Sequence, residues 1–123
     1  MSDQREANGL SPLQWTAVAL VATTGILHVY AGFIEGRIPV LLAGVGYGGA
    51  LVLFALDYRR RLLYLVGIPY TLVQIPLWYV ANAGEFTVVG YADKATQVLL
   101  VLTLVYLYWR ERSLAAASST PTA

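Results

Sequence analysis

The chain has 123 residues and a net charge of +1; 58% of it is apolar and only 12% charged. Average soluble domains run near ~25% charged, so there are too few charges to cover a water-facing surface, and the near-neutral balance gives no electrostatic case for nucleic acid. Cysteine is absent, which excludes disulfides, thiolate metal sites, iron–sulfur clusters and thiol redox chemistry.

Residues 1–11 are polar and lack a signal-peptide pattern. Ser11-Pro12-Leu13-Gln14 is a helix start: Ser11 caps, Pro12 occupies the first helical position where no N–H is needed, and Gln14 stands where a capping box requires it. The first helix is expected over 12–34. Its run Leu13–Ile34 contains no Asp, Glu, Lys or Arg and matches the ~20 residues that cross a hydrocarbon core. Glu35-Gly36-Arg37 is too short for anything but an antiparallel return, and Pro39 sits in the first turn of the second helix, expected over 38–57. Tyr58-Arg59-Arg60-Arg61 makes a second short connection. The third helix, expected over 62–82, carries Pro69 and Pro76, which remove backbone donors and free the carbonyls of Leu65 and Leu72. Asn82–Ala92 is the one long loop, and its run Phe86-Thr87-Val88-Val89 is expected to fold back onto the membrane surface. The uncharged run Ala95–Trp109 is short for a fourth span. Starting it near Tyr91, over 91–110, restores the length and leaves Asp93 and Lys94 in the headgroup zone. Residues 111–123, rich in Ala, Ser, Thr and Pro, read as a disordered tail. The expected fold is thus all-α: an integral membrane four-helix bundle with antiparallel neighbours.

Orientation follows from the basic residues. With the N-terminus inside, Arg5, Arg59, Arg60, Arg61, Arg110 and Arg112 lie on the inner side and only Arg37 and Lys94 on the outer, a clear positive-inside bias. A multi-pass cell-membrane protein with both termini cytoplasmic is expected, with the lipid bilayer as its first partner.

His28 is the only histidine. Thr24, Gly25, His28, Ala31, Gly32 and Glu35 recur at spacings of three and four, so they share a small, polar face of the first helix. An intramembrane histidine is either a proton carrier or ligand, or an interhelical hydrogen-bonder; with no charged partner expected in the core, the second reading is favoured. In the second helix Gly44 and Gly48 form a Gly-x-x-x-Gly pair that allows close backbone approach to the first helix or to a second copy, as do Gly25 and Gly32 in the first. No strand precedes these glycines, so a phosphate-binding loop is excluded. In the third helix Tyr70, Gln74 and Trp78 follow at spacings of four with Thr71 beside Tyr70, next to the proline breaks. Broken helices with adjoining polar side chains are places for ligand sites, although prolines are frequent in membrane helices with no such role. The candidate pocket comprises His28, Tyr70, Thr71, Gln74 and Trp78. No catalytic residue, metal site or cofactor is expected.

Gly25-Ile26-Leu27-His28 with Gly32, Leu42-Ala43-Gly44-Val45-Gly46-Tyr47, and Gly67-Ile68-Pro69-Tyr70-Thr71 running into Gln74-Ile75 and Trp78-Tyr79 resemble a family of small haloarchaeal four-helix membrane proteins that is a domain of unknown function. The resemblance covers about three helices and implies a membrane location and no particular activity. One lysine against seven arginines suits a GC-rich, archaeal source. Small multidrug exporters need a glutamate embedded in the first helix, which is lacking, and the arginine bias argues against a dual-topology fluoride channel. Two functions remain in view. The first is a non-enzymatic accessory or assembly subunit, docking glycine faces on another membrane protein or on itself as a homo-oligomer. The alternative is a binder or carrier of a small apolar ligand, a quinone or lipid, near His28, Tyr70 and Gln74. An enzyme ranks last, because a lone imidazole is neither an acid–base pair nor a metal site.

Overall fold

A computed structural model describes residues 9–82 and 84–119, with side chains to residue 117. The described part contains four helices and no strand: α1 (Pro12–Glu35), α2 (Ile38–Ala55), α3 (Arg60–Asn82) and α4 (Val88–Ser119). Each is long and apolar enough to cross a membrane.

The capping box at Ser11 forms as its spacing requires. Gln14 N donates to Ser11 Oγ at 3.2 Å, and Ser11 N donates to Gln14 Oε1 at 2.8 Å. At the other end of α1, Gly36 takes a left-handed conformation (φ 66°), and Arg37 N donates to Gly32 O at 2.9 Å. A left-handed residue just past the helix end closes the last turn and is easiest for glycine. The link between α2 and α3 has no glycine, yet Asp57 (φ 56°) and Arg59 (φ 45°) both adopt left-handed backbone. Tyr58 N donates to Leu53 O, and Arg60 Nε donates to Phe54 O, so side chain and backbone together satisfy the end of α2.

Two expectations are corrected. Val88 and Val89 do not fold back as loop; they form the first turn of α4, because Thr87 caps it, its Oγ1 accepting from Gly90 N at 3.0 Å. At the far end α4 continues to Ser119, where a disordered tail was expected from residue 111. Ala115, Ala116 and Ala117 are strong helix formers extending a helix already nucleated, so propagation is favourable. Residues 1–8 and 120–123 lie outside the described residues, so the polar N-terminus expected there is not described.

The helices form a ring in the order α2, α1, α4, α3. α1 packs closely on α2 and α4, and α4 on α3, whereas the backbones of α2 and α3 barely meet. The α1–α2 contact depends on small residues. A Cβ on Gly44 would stand 2.8 Å from Gly25 O and from Val29 N, and one on Gly32 would stand 2.5 Å from Leu41 N. Gly48, expected to share this role, faces open space. Its spacing from Gly44 puts both on one stripe, but no atom of a neighbouring helix lies within 4 Å of a Cβ at Gly48.

Across the ring, Arg110 Nη2 donates to Ser11 Oγ at 3.1 Å, Gln14 Nε2 donates to Tyr64 OH at 2.9 Å, and Tyr64 OH donates to Glu111 Oε1 at 3.2 Å. These bonds tie α1, α3 and α4 at the end that carries the arginines, above a core of Leu100, Leu104, Leu107, Tyr47 and Phe54. The outer surface is largely apolar: Phe33 on α1 is 78% exposed, Ile38 on α2 66%, Val80 on α3 74% and Leu102 on α4 63%, with many more like them. A soluble monomer rarely exposes apolar patches beyond a few hundred Å², and this exterior fits an apolar surrounding.

Candidate functional site

Burial of a charged group demands a partner, and the bundle supplies one for each. Asp93 and Lys94, expected in the headgroup zone, are buried, at 6% and 8% exposure. The difference follows from the true start of α4: with Thr87 as its cap, Asp93 lies almost two turns inside the helix. The register fits. Ser11 and Arg110 pair at one end, His28 stands 17 residues after Ser11, and Asp93 stands 17 residues before Arg110. Antiparallel helices of equal rise therefore bring His28 and Asp93 level.

Both oxygens of Asp93 are engaged. Oδ1 accepts from Thr24 Oγ1 at 2.5 Å, while Oδ2 lies 3.3 Å from His28 Nδ1 and accepts from Lys94 Nζ at 3.2 Å. Sequence-adjacent residues on a helix normally diverge; the long lysine stem turns back, with its ammonium 5.6 Å from the Trp78 ring centre. Lys94 Nζ also donates to Gln97 Oε1 at 2.7 Å. Gln97 Nε2 continues to Gln74 Oε1 at 2.9 Å and to Tyr47 OH at 3.3 Å, and Tyr47 OH meets Thr71 Oγ1 at 2.9 Å. Gln74 Nε2 is anchored on Tyr70 O at 2.8 Å. One connected network thus joins all four helices, and no buried side-chain nitrogen or oxygen among the described residues lacks a partner. His28 accordingly has the charged partner that its isolation in the sequence hid.

The tautomer of His28 follows from its neighbours. Nδ1 lies 2.8 Å from Thr24 O, a carbonyl that can only accept, so Nδ1 carries the proton. Neutral His28 therefore presents the lone pair of Nε2, and the residue lines a cleft of about 530 Å³. Gln74, Trp78, Asp93 and Lys94 share that wall, with Glu35 and Arg37 also on the lining. Further along the same α2–α3 gap lies a second space of about 640 Å³, walled by Val21, Tyr47, Ala50, Leu63, Tyr70 and Leu104 among others. The boundary falls at two tyrosines. Tyr70 OH donates across to Ala43 O at 2.8 Å, and the Tyr47 ring meets the Tyr70 ring edge-on, 5.1 Å between centres. The gap thus holds a polar compartment and an apolar one, with the two tyrosines between them.

Of the candidate residues, His28, Gln74 and Trp78 line the polar compartment, while Tyr70 and Thr71 line the apolar one at the boundary. Gly25, Gly32 and Gly44 serve helix contact, and Gly25 leaves room for Tyr47, whose Cβ would stand 3.2 Å from an added one. Thr24, Tyr47, Asp93, Lys94 and Gln97 were not singled out for the site. The available signal for Asp93 and Lys94 was Thr87 as a helix cap, which places both within the helix; Gln97 already lay in the expected span. One imidazole and one carboxylate already held by lysine make too small a donor set for a transition-metal centre. Comparison of the chain with protein-family models, curated proteins and solved structures finds no match.

Proposed function

We propose that the chain spans the cell membrane four times with both termini cytoplasmic, and that it binds an amphiphile of the quinone or lipid class in the gap between α2 and α3. The apolar exterior and the cluster of Arg59, Arg60, Arg61, Arg110 and Arg112 at one end support the placement. Lys94, being buried, no longer counts as an outer-loop charge, which sharpens the bias. The observation that carries the binding function is the cleft itself: hydrogen-bonding groups of His28, Lys94 and Gln74 set among apolar residues such as Leu27, Ile34, Val40 and Leu77, with a second, apolar space beyond Tyr47 and Tyr70. Ligand pockets characteristically combine an apolar lining with a few placed polar groups, and ionisable groups within a membrane mark functional sites.

Docking through glycine faces to another membrane protein loses most of its support, since Gly25, Gly32 and Gly44 are used within the chain; Gly48 and Gly49 remain as an open face on α2.

The test is ligand retention. Protein extracted from membranes in mild detergent is expected to carry an amphiphile detectable by mass spectrometry of the solvent extract. His28→Ala and Gln74→Ala should each lower its occupancy at least ~10-fold, the effect of losing one or two hydrogen bonds in a dry site, with the helical circular dichroism unchanged. Equal retention in both variants would eliminate the binding function.

A further inference from the structure

We infer that the amphiphile is a long-chain carboxylate, and that it enters the polar compartment together with one proton. This rests on the binding function above and specifies its ligand.

Every helix of the bundle places a group around His28, but only α4 places charged ones. Thr24 from α1, Tyr47 from α2 and Gln74 from α3 are uncharged; α4 brings Asp93 and Lys94, which cancel. At the rim Glu35 and Arg37 lie 4.0 Å apart and cancel as well. The compartment is therefore neutral while His28 is neutral. Any ligand of net charge would leave an uncompensated charge in a low-dielectric site, which is strongly unfavourable. A monoanion escapes that penalty only if one proton arrives with it, and His28 is the group placed to take it.

The unspent hydrogen-bonding capacity fits the same head group. Asp93 has both oxygens engaged, so it offers little to a cation. Lys94 Nζ spends two donors, on Asp93 and Gln97, and has a third for the cleft. His28 has Nε2. His28 and Lys94 line the same cleft, and Nε2, having no partner while no buried nitrogen among the described residues lacks one, is open to it, so a two-oxygen head group there is offered to both residues. With the proton on Nε2, two donors meet a carboxylate; with it on the ligand, the acid's hydroxyl donates to Nε2 and its carbonyl accepts from Lys94. Either placement has the same composition: carboxylate plus one proton from water, with no other bond made or broken. A phosphate monoester, mostly dianionic near neutrality, would exceed the balance. The chain of the ligand lies against the apolar residues of the same cleft, among them Leu27, Ile34, Val40 and Leu77.

Because His28 is the only histidine, imidazole labelling reports on this site alone. The protein is placed in phosphatidylcholine nanodiscs with ¹⁵N-histidine, at about pH 8, where a free carboxylate and a free imidazole are both deprotonated. Palmitate is expected to bind with uptake of one proton, seen with a pH indicator in weak buffer, and to change the imidazole ¹⁵N signals. Methyl palmitate should fail to displace it. His28→Gln, which keeps a polar group but removes the Nε2 acceptor, should bind palmitate at least ~10-fold more weakly. Palmitate binding without proton uptake, or decylubiquinone binding where palmitate does not, would overturn the inference while leaving an amphiphile site in place. If none of the three probes binds, the amphiphile function itself falls.

Discussion

Asp93→Leu is expected to destabilise the bundle by about 3–5 kcal/mol, the usual cost of removing one partner from a buried ion pair. The carboxylate holds three groups at once: Thr24 Oγ1, His28 Nδ1 and Lys94 Nζ. Without it Lys94, 8% exposed, keeps a charge answered only by the neutral amide of Gln97 and the Trp78 face. Asp93→Asn should cost less, since the amide still accepts a hydrogen bond. The double change Asp93→Leu with Lys94→Met should recover most of the loss, because replacing both members of a buried pair by apolar groups is often neutral or better. Unfolding of the purified variants by SDS titration, followed by circular dichroism, checks the order. A double variant as unstable as Asp93→Leu alone would show that the pair is not the unit holding α4 against α1.

Gly32→Val is expected to be the most disruptive of the glycine substitutions, at about 3 kcal/mol or more. A Cβ there would stand 2.5 Å from Leu41 N and 2.7 Å from Leu41 Cα, and backbone atoms cannot turn aside as a side chain can. α1 and α2 would have to separate, which also withdraws Tyr47 from the polar network. Gly48→Val, facing open space, should change stability by less than about 0.5 kcal/mol. The same SDS titration measures both, and equal losses at the two positions would contradict the packing of α1 on α2.

Much of the architecture could be read from local chemistry. The capping box at Ser11 needs only residues three apart, and helix runs free of charge announce themselves by length. What could not be read was pairing between distant segments. His28 and Asp93 are 65 positions apart, and nothing in either helix's pattern states the register that makes them level; that register becomes visible only when Ser11 is seen to bond Arg110. The habit of assigning charges to the membrane boundary then hid Asp93 and Lys94, although Thr87 was a legitimate cap and would have placed them within the helix. Helical spacing identified Gly44 and Gly48 as one face without indicating how far along it the neighbouring helix stays in contact. His28, Gln74 and Trp78 were legible because they stand at helical spacings beside breaks or small residues, whereas Gln97 became meaningful only once Lys94 and Gln74 were known to flank it.

Hydrocarbon around the bundle is the condition for everything proposed of the buried charges, and the absence of cysteine makes it directly measurable. Single replacements Glu85→Cys, Arg61→Cys, Val52→Cys and Leu102→Cys can be labelled with a membrane-impermeant maleimide, in intact cells and after lysis. Glu85→Cys should label in intact cells and Arg61→Cys only after lysis, while Val52→Cys and Leu102→Cys, on outward apolar faces at 59% and 63% exposure, should label in neither. Labelling of the two apolar-face positions by the aqueous reagent, or of Arg61→Cys in intact cells, would contradict the bilayer placement and its orientation.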